Sequence, residues 1–312
     1  MQEASSLIAA LRDNINSVVL GKPEVVESCL TALLAGEHIL LEDVPGVGKT
    51  LVGKAIARSI SGEFRRIQFT SDLLPSDIVG SNVFNSRTSE FTFHKGPIFS
   101  NVVLADEINR APPRTQSALL EAMSERQVSV DGETLQLPSP FIVIATQNPY
   151  EMEGTYTLPE SQMDRFLLRI SMGYPARSEE RLVLSSHRQT DPVNDLKPVL
   201  SFDDLLRLQA KARDVKVDPS IENYLLDIAH RTRTSDDLRV GVSTRAVLSV
   251  YRAAQARALL YGRDYVIPDD VKTLAVAAMA HRVLAKGLLR AGQRSAVEAV
   301  MSRIVENVPV PT

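Results

Sequence analysis

The stretch from His38 to Ala57 restricts the fold more than any other part of the chain. His38-Ile39-Leu40-Leu41 is a short apolar run of the kind a buried parallel strand shows. Leu51-Val52-Gly53-Lys54-Ala55-Ile56-Ala57 carries apolar residues at helical spacing. Between them lies Glu42-Asp43-Val44-Pro45-Gly46-Val47-Gly48-Lys49-Thr50. Strand, glycine turn and helix in this order are what a phosphate-binding loop needs. Gly46 and Gly48 have no Cβ, so backbone N–H groups can close around phosphate oxygens at the helix N-terminus. In the pattern GxxxxGK[ST], Lys49 reaches the β- and γ-phosphates and the Thr50 hydroxyl ligates Mg²⁺. The nucleotide-binding residues expected here are Pro45, Gly46, Val47, Gly48, Lys49, Thr50 and Leu51. One position departs from the pattern: its first glycine is Asp43.

A nucleotide hydrolysis site needs a second half, and Asn101-Val102-Val103-Leu104-Ala105-Asp106-Glu107 supplies it. Asp106, at the carboxyl end of this apolar strand, can hold Mg²⁺ through its water shell. Glu107 is placed to polarise the water that attacks the γ-phosphate. Without the upstream loop, both acids would read as the dipole-complementing start of a helix. Phe141-Ile142-Val143-Ile144-Ala145 is a further strand, ending in Thr146-Gln147-Asn148-Pro149. By itself Asn148 is a turn former before proline. Beside the other strand ends it can touch the γ-phosphate or the attacking water, because ligands of open α/β sheets bind at the strands' carboxyl ends.

The length of 312 residues suggests about two domains, with roughly three quarters of the unfolded surface buried. Hydrophobic residues at 44% and charged residues at 23% describe an ordinary globular protein. A net charge of −3 argues against a protein built to coat nucleic acid. The single cysteine, Cys29, excludes an internal disulfide, fits a reducing cytoplasm, and reads as a small core residue. No signal peptide is expected, and no apolar run approaches the roughly 20 residues needed to cross a bilayer. The five histidines, at 38, 94, 187, 230 and 281, have no metal-cage spacing.

Helices are expected through residues 1–36, the second starting at Pro23 and ending near Gly36. Arg65-Arg66-Ile67-Gln68-Phe69 reads as the second strand, with a short helix beginning at Asp72. Two hairpins are expected, at about 80–95 and 127–137, the latter turned by Asp131-Gly132. Leu167-Leu168-Arg169-Ile170 makes a fifth strand, and Gly173-Tyr174-Pro175 closes the first domain. The division is therefore 1–175, α/β, and 176–312, helices only. Gln189-Thr190-Asp191-Pro192-Val193-Asn194 reads as a polar linker, and helices start at Ser201, Asp218, Ser243 and Pro268. Ser201 with Asp204 has the form of a capping box.

These runs resemble the MoxR family of AAA+ ATPases from about residue 5 to the C-terminus. The likeness is carried by LLEDVPGVGKT (40–50), DLLPSDIVG (72–80), GPIF (96–99), LADEINRAPPRTQSALLEAM (104–123), ATQNP (145–149) and EGTYTLPESQMDRF (153–166). The family tolerates a non-glycine at the position of Asp43. The resemblance implies a five-stranded parallel sheet with helices on both faces, followed by an all-α lid, with the two hairpins as insertions that face partners. It implies Mg²⁺-dependent hydrolysis of ATP in a ring, hexameric by family expectation, with the nucleotide between subunits. Arg165 matches the arginine finger supplied by a neighbour, with Arg110 and Arg114 as further trans candidates. Arg245, in Gly241-Val242-Ser243-Thr244-Arg245, matches the second sensor that reaches the phosphates. Val18-Val19-Leu20-Gly21 resembles the wall of the adenine pocket, with Val19 and Gly21 as contacts, although apolar residues there are equally plain core. The output implied is chaperone-like remodelling of a protein partner, often one with a von Willebrand factor A domain. The other reading is a nucleic-acid motor or transcription-related regulator. Against it, the first hairpin has only Arg87, His94 and Lys95 as basic groups. A nucleotide-binding protein without hydrolysis is opposed by the intact Glu107 and Asn148.

Overall fold

Parallel pairing of apolar strands builds the centre of the molecule. The computed structural model describes residues 1–44, 46–87, 89–149, 154–186, 191–287 and 293–311. Pro45, Glu153 and the Gln189-Thr190 part of the expected linker lie outside the described residues. In chain order, the first elements are α1 (Gln2–Asn16), α2 (Pro23–Ala35), β1 (His38–Glu42), α3 (Lys49–Ser59), β2 (Phe64–Gln68) and α4 (Pro75–Val79). Next come β3 (Gly80–Asn85), β4 (Glu90–Lys95), β5 (Val102–Asp106), α5 (Pro113–Glu125), β6 (Gln127–Val130) and β7 (Glu133–Gln136). They are followed by β8 (Ile142–Gln147), the single turn α6 (Glu160–Met163), β9 (Phe166–Ile170) and α7 (Arg177–Ser186). The C-terminal part holds α8 (Phe202–Arg213), α9 (Pro219–Thr234), β10 (Leu238–Val240), α10 (Thr244–Leu260), α11 (Pro268–Met279), β11 (Leu284–Ala285) and α12 (Gln293–Asn307).

The sheet has the order β2-β5-β8-β1-β9, and every pairing is parallel. Alternation along each strand feeds two cores. Ile39, Leu41, Leu104 and Ile144 face α1, α2 and α3, in a core continuous with the C-terminal helices. Leu40, Val103, Ala105, Val143 and Ala145 face α4 and α5 on the other side. The inner strands β1 and β5 are buried throughout, whereas the edge strand β2 exposes Arg65, Arg66 and Gln68. The five-stranded parallel sheet with flanking helices and a helical lid therefore stands as the resemblance implies.

Differences from the sequence reading have local causes. The strand β8 runs on to Gln147, because Gln147 pairs with Glu42 in the β1 ladder. The short helix starts at Pro75 rather than Asp72, where proline is suited to a first helical turn and Asp77 accepts from the Leu74 N–H at 2.8 Å. The first hairpin pairs β3 with β4 in antiparallel register, and the second pairs β6 with β7. Asp131 (φ 50°) and Gly132 (φ 85°) both occupy the left-handed region that this two-residue turn requires. The C-terminal region is not made of helices alone: β10 and β11 form a small antiparallel ladder. The terminal helix α12 was not expected, because its apolar face is interrupted by Arg294, Glu298 and Arg303.

Side-chain caps start the C-terminal helices. Ser201 accepts from the Asp204 N–H at 3.1 Å, Asp218 from Ser220 at 2.9 Å, and Ser243 from Ala246 at 3.2 Å. The alanine-rich α10 is buried along most of its length and packs closely on α2, α8 and α11. The N-terminal helices are thereby tied to the C-terminal ones, with Gln209 donating to Leu33 O at 2.7 Å and Tyr261 Oη to Glu27 at 2.7 Å.

His38 shows how the sheet and α5 are joined. Its Nδ1 accepts from the Val143 N–H at 2.9 Å, so the proton sits on Nε2, which donates to Met123 O at 3.1 Å. Burial lowers its pKa from 6.5 to about 4, with the Met123 bond opposing and nearby Arg126 assisting. Burial also holds buried His281 well below 6.5. A base with a depressed folded pKa contributes its stability above pH 6.5 and loses it as pH falls toward the folded value. For His38 that loss is worth roughly 3 kcal/mol between pH 7 and pH 4. Urea unfolding at stepped pH should show stability falling through this window, and the His38 ring resonances should not titrate above about pH 5.

Candidate functional site

A cavity of about 570 Å³ opens at the carboxyl ends of the central strands. The loop after β1 forms its floor. Gly46 (φ 85°) and Gly48 (φ 95°) take left-handed conformations, and nothing lies within 4 Å of where a Cβ on Gly46 would be. The N-terminus of α3 begins at this loop, the end of a helix where the first N–H groups lack intrahelical partners. Gly46, Val47, Gly48, Lys49, Thr50 and Leu51 all line it.

Lys49 is 8% exposed and its Nζ donates to the backbone oxygen of Asp43 at 2.7 Å. Burial lowers its pKa, while Asp106, Asp43 and Glu107 oppose that shift. Asp43 is not a distorted stand-in for glycine. Its carboxylate accepts from Ser171 Oγ (2.8 Å), the Gly173 N–H (2.6 Å) and the Val44 N–H (2.8 Å), tying the loop to the segment after β9. Burial alone would raise its pKa, but these hydrogen bonds together hold it below the ordinary carboxylate value.

The acid pair faces the loop across the same cavity, together with Asn148. A relay through Thr146 holds both acids. Its Oγ1 donates to Asp106 Oδ1 at 2.5 Å and accepts from the Glu107 N–H at 2.9 Å. Glu107 sits at φ 58°, a left-handed conformation costly for a residue with a Cβ, which turns its side chain off the strand axis. The edge strand β2 adds two groups that sequence reasoning missed. Arg66 donates through Nε (3.0 Å) and Nη2 (2.6 Å) to Asp106 Oδ2, and Gln68 Nε2 donates to Glu107 Oε2 at 2.8 Å. Arg66 also lines the cavity, as do Lys22 and Lys54. Alternation on β2 puts Arg66 and Gln68 on one face, but only the β2–β5 register, with Gln68 opposite Asp106, brings them to the acids.

Val19 lines the far wall with Val18 and Leu20, opposite Met172 and Pro175. Gly21 (φ 69°) is not among the lining residues, and a Cβ there would meet Glu179 Cδ at 2.2 Å. Arg165 and Arg245 are not at this cavity. They line a second one of about 400 Å³ with Asp164, Arg126, Arg252 and Arg282. There Arg165 donates to Leu120 O at 2.7 Å, while Asp164 pairs with Arg245 at 3.6 Å and Arg282 at 3.0 Å. Arg245, expected from the resemblance to reach the phosphates, lines this second cavity and not the one at the loop after β1. Arg110 pairs with Glu107 at 3.2 Å, and Arg114 is exposed at the start of α5.

The residues present fit a nucleoside triphosphate with a divalent cation: a glycine cradle, a buried lysine, and a hydroxyl and a carboxylate, Thr50 and Asp106, on one cavity. Fold and site together define a P-loop nucleotide-binding protein with a helical lid. Residues 38–168 match the family described as ATPases associated with various cellular activities, and residues 230–304 match the AAA lid domain. The protein YeaC of Bacillus subtilis is 48% identical over 310 residues, covering 99% of this chain and 97% of its own. Chaperone MoxR1 of Mycobacterium tuberculosis is 43% identical over 306 residues, covering 95% and 80%. A crystal structure of a candidate ATPase from Cytophaga hutchinsonii superposes with a TM-score of 0.90 at 35% identity, covering 100% and 97%. The chain belongs to the MoxR family of AAA+ ATPases.

Arg66 counters the charge of the one carboxylate best placed to meet a divalent cation. Arg66→Ala should therefore raise the affinity of the purified protein for Mn²⁺ several-fold, by roughly the 1 kcal/mol of an ion pair whose arginine is half exposed. Titration followed by the Mn²⁺ spin-resonance signal would measure it.

Proposed function

We propose that this protein hydrolyses ATP to ADP and phosphate, with Mg²⁺, and uses the cycle to remodel a partner protein. The observation that carries this reading is the convergence of Lys49, Thr50, Asp106, Glu107 and Asn148 on one cavity at the strand ends. Lys49 and the loop amides would hold the phosphates. Thr50 and Asp106 would hold Mg²⁺, which neutralises charge on the β- and γ-phosphate oxygens when bound. Glu107 accepts a proton from the attacking water as charge builds on it, and Asn148 orients that water. Val19 and its neighbours would cover the base.

Arg165 and Arg245 lie together on a cavity away from their own loop, which supports a ring in which both reach the nucleotide of an adjacent copy. Six copies are the family expectation. A finger of this kind is worth roughly 10³–10⁵ in rate, so an isolated chain should be nearly inactive. We assign residues 1–175 to nucleotide binding and residues 176–312 to a lid whose angle follows the phosphate state, in the cytoplasm. Chaperone MoxR1, at 43% identity, supports a chaperone-like output, and a protein with a von Willebrand factor A domain is the partner we favour. The tip of the first hairpin supports a protein rather than a nucleic acid partner: it exposes Val83, Phe84 and Phe91, with the two phenylalanine rings 5.2 Å apart. Among the described residues no helix is long and apolar enough to cross a membrane.

Phosphate release by the purified protein with Mg²⁺ and ATP tests the reaction. Glu107→Gln should keep its affinity for ATP and lose turnover by about 10²-fold or more. Turnover equal to the parent's would remove Glu107 from the chemistry. Arg165→Ala and Lys49→Ala should each be inactive alone, and mixing them should restore activity if the finger acts between copies. No recovery on mixing would place Arg165 outside a shared site. ATP-locked Glu107→Gln can then be used to capture the partner, with and without nuclease.

A further inference from the structure

The last helix reaches the nucleotide site through one buried carboxylate. Glu42 ends β1, directly before the phosphate-binding loop, and is 5% exposed. Its Oε2 pairs with Arg294 Nη1 at 2.8 Å and with Arg169 Nε at 3.6 Å. Its Oε1 accepts from Gln147 Nε2 at 2.5 Å, and its backbone oxygen accepts from Arg294 Nη1 at 3.1 Å. Gln147 is held from a second side, because its backbone oxygen accepts from the Asp43 N–H at 3.1 Å. The next residue is Asn148. Glu298 closes the network, accepting from Arg294 Nε at 2.8 Å and pairing with Arg169 Nη2 at 3.4 Å.

The place of Arg294 in its helix argues that it is not there for the helix. It lies in the first turn of α12, where a cation opposes the helix dipole. Its i,i+4 partner Glu298 follows it, the weaker order for such a pair. The return comes from the tertiary contact: two acids and two arginines balance in charge across β1, β9 and α12. Glu42 Oε2 meets the two arginines as ion pairs without an aligned hydrogen bond, and a partly buried network of this kind fixes geometry more than it adds net stability.

We propose that Arg294 is a positioning residue of the nucleotide site. Through Glu42 it fixes Gln147, and so sets both the approach of Asn148 to the cavity and the start of the phosphate-binding loop. A shift of α12 is felt at the ends of β1 and β8 together, which links the lid to the water-orienting residue and the phosphate cradle. The inference rests on the ATPase reading of the cavity, but its structural half does not need nucleotide.

Arg294→Ala leaves Glu42 paired with Arg169, so no buried charge is orphaned and the chain should fold. Without nucleotide, amide hydrogen exchange at Asp43 and across 144–148 should speed up several-fold. With ATP, kcat should fall about tenfold, within the ~10²-fold that a misplacement of about 1 Å can cost, while KM holds. Arg294→Lys should recover part of both effects. In combination with Asn148→Ala the loss of kcat should be less than additive. Exchange altered only in α12 and its packing partners, with Asp43 and 144–148 as in the parent, would overturn the proposal. So would a kcat loss fully additive with that of Asn148→Ala. A parent protein that does not turn over ATP would instead sink the ATPase reading, and the exchange result would then decide the positioning role alone.

Discussion

Parallel pairing of β5, β8 and β1 is the constraint on which the rest depends. Each strand brings its last residues to the same edge, and each of those residues is polar: Asp106, Gln147 and Glu42. Hydrogen bonding along the ladders leaves no freedom in this alignment, since a slip of one residue would turn every side chain to the other face. The polar ends are therefore held by the burial of the apolar residues that precede them in each strand. The loop after β1 and the left-handed turn at Glu107 are extensions of that edge rather than independent motifs.

Charge is arranged in two tiers around the edge. Nearest the cavity, Lys49, Lys54, Lys22 and Arg66 face Asp106 and Glu107. Behind it, Glu42, Arg169, Arg294 and Glu298 form a balanced network facing the C-terminal helices. Asp43 stands between the tiers, with its backbone oxygen accepting from Lys49 and its carboxylate holding the segment after β9. A glycine there would leave that segment without its anchor. The second cavity is a third, separate concentration of cations, with Asp164 as the acid that holds Arg245 and Arg282 beside Arg165.

Helix packing sets how far a change at one tier is felt at another. The buried α10 packs on α2, and the N-terminal helices share one apolar core with the lid and with one face of the sheet. Movement of the lid as a rigid body must therefore pass through a few polar contacts at the sheet edge, or slide apolar surfaces over each other. The contacts of α12 with Glu42 are among these, as are those of His281 and Arg282 with Phe166 O.

Local chemistry in the sequence was enough to determine the glycine loop between β1 and α3, the acids at the end of β5, the Asp131-Gly132 turn and the capped helix starts at Ser201, Asp218 and Ser243. Each depends on residues within a few positions of one another, and their side-chain and backbone preferences act before any tertiary contact forms. The apolar run at 38–41 reads as a buried parallel strand, and the five-stranded parallel sheet follows from the family resemblance. Only tertiary structure decided which strands are neighbours. That order brought Arg66 and Gln68 to the acids from an edge strand, and it extended β8 to Gln147. It also put Arg245 beside Arg165 instead of beside the loop, and joined Arg294 to Glu42 across 252 residues of chain. The strength of these last contacts comes from desolvation and from charges at long sequence separation, which no local pattern records.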